Sequence, residues 1–254
     1  MDELTEFRSE AVKRGELIGA NNELQQMALD FQHAAGLYKY SYNFEWLGIP
    51  IIQYPQDIVA LQEIIYLVRP DLVIETGVAH GGSLVLSASL LALLDLMDSK
   101  SNRTRSEFLV IGIDIEIRGH NRKNIESHPL APHIKLIEGS STDRDVINVV
   151  TNEARRFKRP LVLLDSNHSY DHVLKELNAY SNLVAVGSYI IVYDTVIEYS
   201  PPGYYGERPW VPGNSPLTAV KHFLSESDLF EVDNLVSNKL LISVAPNGFL
   251  KRIK

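Results

Sequence analysis

From Pro70 onward the chain alternates short, β-branched apolar runs with longer stretches of helical periodicity, the signature of a parallel sheet joined by crossover helices. Five runs qualify as strands: Leu72 to Thr76, Phe108 to Ile115, Ile134 to Gly139, Pro160 to Asp165 and Tyr189 to Asp194. All are apolar over most of their length, as strands buried on both faces are. Helices are expected between them, starting after Gly82, near Asn121, after Asp143 and near Tyr170, with right-handed crossovers as the default. The longest apolar stretch, Leu84 to Met97, contains Asp95 and falls short of the roughly 20 residues that span a bilayer, so it reads as a buried helix. Toward the end, FEVDNL and KLLISVAP flank a polar SNK, which predicts an antiparallel C-terminal hairpin at one sheet edge.

The first seventy residues stand outside this alternation. They read as one or two helices over Asp2 to Ala35, followed by an aromatic-rich irregular segment, LYKYSYNFEWLGIPIIQYP. The expected organisation is a helical N-terminal extension and cover over 1–70 and a Rossmann-like sheet domain over 71–254. Residues 196–216 hold five of the 12 prolines and several aromatics, and so long a connection without secondary structure points to a functional loop or lid.

The net charge of -8 removes the basic field that general nucleic-acid or anionic-membrane binding requires. With zero Cys there are no disulfides, thiolate metal sites or cysteine nucleophiles, which leaves carboxylates, His and hydroxyls to supply any chemistry. The first thirty residues carry charges throughout and lack the apolar run of a signal peptide, so a cytoplasmic location is expected.

The first strand runs into Glu75-Thr76-Gly77-Val78-Ala79-His80-Gly81-Gly82-Ser83, a glycine-rich turn that lets backbone approach a ligand and opens a helix with free N–H donors. It is not a dinucleotide fingerprint: GxGxxG is absent, and the next strand-end acid, Asp114, lies 37 residues beyond Gly77 instead of about 20. An acid at the first strand end and another near the second suit a ligand with an ammonium group and a ribose diol, as in S-adenosylmethionine. Open α/β sheets bind ligands at such carboxyl ends. The fourth and fifth strands end in Asp165 and Asp194. Two carboxylates on one sheet edge repel unless a cation offsets them, and a hard divalent ion such as magnesium is the economical partner. His168, three residues past Asp165, is placed to act as general base on a metal-held hydroxyl. His80 is expected to shape the turn, His172 belongs to no zinc set, and His33, His128, His133 and His222 read as surface residues. In the long loop, Tyr199, Tyr204, Tyr205 and Trp210 are candidates to stack on a sugar or aromatic ring, or to pack the loop onto the sheet.

The run YNFEWLGIPIIQYPQDIVALQEIIYLVRPDLVIETGVAHGGS, then GIDIE, EGSSTD, LLDSNHSYDHVLKEL, YIIVYDT and RPWVPGNSPLTAVKHFL, resembles the cephalosporin hydroxylase family over roughly Tyr42 to Leu224. That family is itself similar to the metal-dependent macrolide-sugar and rhamnosyl O-methyltransferases, and more distantly to the catechol and caffeoyl-coenzyme A O-methyltransferases. The resemblance implies a class I methyltransferase sheet, α/β and seven-stranded with the last strand antiparallel. It implies that Glu75, Gly77, Gly81, Ser83, Asp114, Ser140, Ser141 and Asp165 surround S-adenosylmethionine, that Asp165 and Asp194 hold Mg2+, and that His168 is the base. One position departs: where the sugar enzymes carry a metal-binding Glu before the second aspartate, this chain has Tyr193. Water, substrate oxygens or Thr195 would then complete the coordination, with Tyr193 beside the acceptor. The function implied is O-methylation of a small-molecule hydroxyl acceptor, a sugar or glycosylated natural product, by a homo-oligomer. The alternatives are a hydroxylase or methoxylation component, or a non-catalytic subunit that binds S-adenosylmethionine or a sugar nucleotide.

Overall fold

The computed structural model describes residues 2–100 and 107–254. It opens with α1 (Glu3–Ala20) and α2 (Asn22–Gly36), separated by Asn21, whose side chain accepts from the Leu24 N–H and so starts the second helix as it ends the first. The aromatic segment is not irregular throughout, as its composition suggests. It contains a small antiparallel pair, β1 (Phe44–Trp46) and β2 (Ile49–Ile51), turned by Leu47 and Gly48 at positive φ. Pro55 then opens α3 (Pro55–Val68), whose Ala60, Leu61, Ile64 and Ile65 are buried at helical spacing.

The core follows: β3 (Leu72–Thr76), α4 (Gly82–Lys100), β4 (Leu109–Asp114), α5 (Gly119–Glu126), β5 (Ile134–Glu138), α6 (Arg144–Ala154), β6 (Pro160–Leu164), α7 (Tyr170–Tyr180) and β7 (Tyr189–Val192). After a long loop come α8 (Pro216–Glu226), begun by a capping box between Ser215 and Thr218, then β8 (Phe230–Val232), α9 (Asn234–Leu240) and β9 (Phe249–Arg252). The seven-stranded sheet runs β5-β4-β3-β6-β7-β9-β8, with β3 to β7 parallel and β9 antiparallel to both of its neighbours.

Strand alternation divides the apolar side chains between two layers. Val73, Leu161, Tyr189 and Ile191 pack with α3 and α4 on one face; Leu72, Val162, Ile190 and Val192 pack with α6, α7 and α8 on the other. Among the described residues no helix is long and apolar enough to cross a membrane.

The C-terminal edge corrects the expected hairpin. Its antiparallel pairing is present, but KLLISVAP is not its second strand. Asp233 accepts from the Leu235 and Val236 N–H groups and caps a helix instead, while Ser243 and Val244 bond to the Asp57 carboxylate. The strand is the later run FLKR, whose Phe249 and Leu250 fill the slot between β7 and β8.

Candidate active site

The strand order reverses at β3 and β6, and their shared register aligns Thr76 with Leu164. The residues just past the strands therefore meet: Gly77 has φ +89, and a Cβ there would overlap the backbone carbonyl of Asp165. Only glycine lets this turn pass so close. Asp114, from the end of β4, accepts from Val78 N at 2.8 Å, Ala79 N at 3.3 Å and Glu116 N at 3.2 Å, fixing the turn and leaving limited capacity for a ligand hydroxyl. Asn121 Nδ2 donates to Ala79 O at 2.7 Å, and its Oδ1 lies 3.3 Å from His80 Nδ1, so His80 does shape the turn.

Glu75 is placed differently from expectation. It is not on the cavity wall but behind it, 1% exposed, accepting from Ser83 Oγ with its other oxygen unpartnered among the described residues. Burial, partly offset by Ser83, pushes its carboxyl up to about 8. Gly77, Gly81, Ser83, Asp114, Ser140, Ser141 and Asp165 all line the cavity. Beside Ser141 lies a cluster no motif announced: Ser141 and Ser166 donate to the buried Glu176 carboxylate at 2.5 and 2.8 Å, with His172 Nε2 within 3.1 Å of both hydroxyls.

Asp165 and His168, from the loop after β6, and Asp194, just past β7, converge at the carboxyl ends of these neighbouring strands, one ligand atom of each lying within 4.8 Å of the others. His168 Nε2 is 3.4 Å from Asp194 Oδ2. Burial, then the charges of Asp194 and Glu75, raise the Asp165 carboxyl well above the usual range. Two acids so placed are an incomplete electrostatic arrangement that a divalent cation would complete. Tyr193 does not approach the acceptor: alternation along β7 turns its side chain, 4% exposed, into the core beside α3 and α4. Thr195 is also off the cavity wall: it is fully buried, and its hydroxyl donates to Pro246 O at 2.7 Å.

The cavity holds about 810 Å3, ample for a cofactor and a small acceptor. Tyr204, Tyr205 and Trp210 of the long loop line it, with Trp210 edge-on to the His168 ring at 4.9 Å and Arg208 over the Trp210 ring at 5.2 Å. Tyr199 does not; its hydroxyl is occupied by Asn247 Nδ2 at 3.0 Å on the outer surface. The remaining wall comes from the N-terminal residues Gln32, His33, Lys39, Tyr42, Gln53 and Tyr54. His33, read from sequence as a surface residue, packs its ring 5.1 Å from Tyr204. Glutamines and tyrosines in an aromatic-rich segment carry no motif, so the only sequence signal for this wall was the density of aromatics itself.

The family described as Rhamnosyl O-methyltransferase/CmcI matches residues 38–253. A rhamnosyl O-methyltransferase of Mycobacterium tuberculosis is 28% identical over 212 residues, covering 82% of this chain and 77% of the relative. The solved structure of CmcI with Mg and SAM superimposes with a TM-score of 0.55 at 20% identity, over 84% of this chain and 78% of that one. CalS11, a TDP-rhamnose 3'-O-methyltransferase of calicheamicin biosynthesis, does so with a TM-score of 0.50 at 15% identity, over 96% and 93%. At these identities the structural likeness is one of fold.

Proposed function

This chain belongs to the Rhamnosyl O-methyltransferase/CmcI family, and on that premise we propose that it transfers the methyl group of S-adenosylmethionine to a hydroxyl of a sugar or glycosylated acceptor, with Mg2+ bound by Asp165 and Asp194. The observation that carries the reading is the meeting, in one cavity, of the glycine turn at β3 with the Asp165, His168 and Asp194 cluster. The turn suits the cofactor because Gly77 lets β3 and β6 close up beneath it, and Gly77, Gly81, Asp114, Ser140 and Ser141 stand along one wall at the start of α4. The acid pair suits the cation because its members lack any Lys or Arg partner among the described ion pairs.

When bound, S-adenosylmethionine supplies an electrophilic sulfonium methyl, and the cation lowers the pKa of an acceptor hydroxyl. His168 receives the hydroxyl proton at Nε2, and Asp194, 3.4 Å away, stabilises the imidazolium that results. Trp210 braces the His168 ring from its edge, and the loop aromatics exclude water around it. His168 also lies within coordinating range, but magnesium prefers oxygen donors, which favours the role of base.

His168→Ala separates the two roles. As a base, its loss lowers kcat about 100-fold or more while the magnesium concentration for half-maximal rate and the affinity for S-adenosylhomocysteine stay unchanged. A large rise in the magnesium requirement would make His168 a ligand instead. The reading extends to a cytoplasmic homo-oligomer joined through the N-terminal helices, which expose Phe7, Leu17 and Met27 at 62%, 71% and 61%.

A further inference from the structure

The N-terminal wall of the cavity contains a set of polar atoms with nothing to bind. Gln32 and Gln53 are each 5% exposed and both line the cavity, yet the Oε1 of each is closed off from solvent with no hydrogen-bond partner among the described residues, so a half-turn of the carboxamide would bring it to the cavity; Nε2 of His33 is likewise closed off and unpaired. Leaving a buried polar group unpaired is costly, and native proteins rarely accumulate several in one place without a use for them. A carboxamide can present either its oxygen or its NH2 group, so it pairs with a hydroxyl acting as donor or acceptor.

The position of this wall says which ligand it meets. Gly82, at the end of the glycine turn, packs so tightly on the backbone of Pro50 and Ile51 that a Cβ would overlap it, and this brings Gln53, two residues on, beside the turn without making it part of it. From the other side, Tyr204 of the long loop donates its hydroxyl to His33 O at 3.0 Å, directly over Gly36, where again there is no room for a Cβ. The wall thus joins the loop that carries Tyr205 and Trp210, two aromatic faces suited to stacking on a ring. Tyr54, next to Gln53, lines the same cavity as Asp165, His168 and Asp194, so the wall and the acid pair share one space.

We propose that Gln32, His33 and Gln53 form the acceptor-recognition subsite, where they read the hydroxyl groups of a pyranose ring stacked on the loop aromatics. The proposal rests on the methyltransferase reading and adds to it the residues that select the acceptor.

The test uses the full chain with magnesium, first titrated with S-adenosylhomocysteine and then, loaded with it, with methyl rhamno-, fuco- and glucopyranosides. Gln32→Met and Gln53→Met keep side-chain length while removing the carboxamide. Each is expected to weaken the best-bound glycoside about fivefold, the loss of one neutral hydrogen bond, with S-adenosylhomocysteine affinity intact and Tm unchanged or raised. A raised Tm is the signature of a polar group held for a ligand, since an apolar replacement relieves it. A lowered Tm with unaltered glycoside affinity would make the glutamines structural and overturn the subsite. Weaker S-adenosylhomocysteine binding would assign them to the cofactor wall, and wild-type protein that binds no glycoside would also end the proposal. Wild-type protein that binds no S-adenosylhomocysteine would remove the methyltransferase reading itself. His33→Phe, on a less buried neighbour, gives the same comparison should either glutamine variant fail to fold.

Discussion

A carboxyl group taken out of water favours its protonated form, and Asp57 shows what this does to the fold. It is 2% exposed near the start of α3, accepts from Ser243 Oγ at 2.5 Å and Val244 N at 3.0 Å, and burial pushes it up to about 7 in spite of these bonds. Because the folded value lies above the unfolded one, the folded chain retains this proton between about pH 4 and 7, and stability falls as pH rises through that interval. The full penalty above the folded value is roughly 4 kcal/mol. Asp57→Asn, which has no charge to form, is expected to flatten the decline in unfolding free energy between about pH 4 and 7, read by urea denaturation. Equal slopes in variant and wild type would show that Asp57 stays ionised. None of this was legible in the sequence, where Asp57 is one acid in the first turn of a helix and its partners lie more than 180 residues away.

At the scale of elements, the glycine turn was legible because glycine there answers a local need, whereas the residues around it answer distant ones. Gly77 and Gly187 have nearly the same φ, +89 and +84, but a Cβ at Gly77 would meet the Asp165 carbonyl while one at Gly187 would meet nothing within 4 Å. Gly187→Ala should therefore cost only backbone strain, about 1–2 kcal/mol, with cofactor affinity intact. Gly77→Ala should cost more than that and lower S-adenosylhomocysteine affinity at least tenfold, as denaturation and calorimetric titration would show. If the two variants behaved alike, the close approach of β3 and β6 would not matter to binding. Asp165, Asp194 and His168 were equally legible, since each follows the end of a strand whose apolar run marks it. The loop aromatics were legible as a group but not individually: Tyr204, Tyr205 and Trp210 line the cavity, while Tyr199 stays on the outer surface.

At the scale of the molecule, α1 packs on α9 and more lightly on α2, with Gly15 its one buried residue. That exposure supports assembly through the N-terminal helices. Light scattering is expected to give a mass above that of a single chain, and Phe7→Glu with Leu17→Glu to reduce it; a wild-type monomer at all concentrations would oppose the assembly. The amino-acid order alone determined the parallel sheet, its crossover helices, the position of the acids at the strand ends and the edge antiparallel pairing, because periodicity and turn residues act over a few positions. Tertiary structure alone decided the rest. That FLKR and not KLLISVAP lies between β7 and β8, that Glu75 is buried behind the wall, and that Gln32, His33 and Gln53 complete the cavity all depend on contacts between distant segments. No local pattern encodes such contacts, because burial and pairing belong to the folded whole.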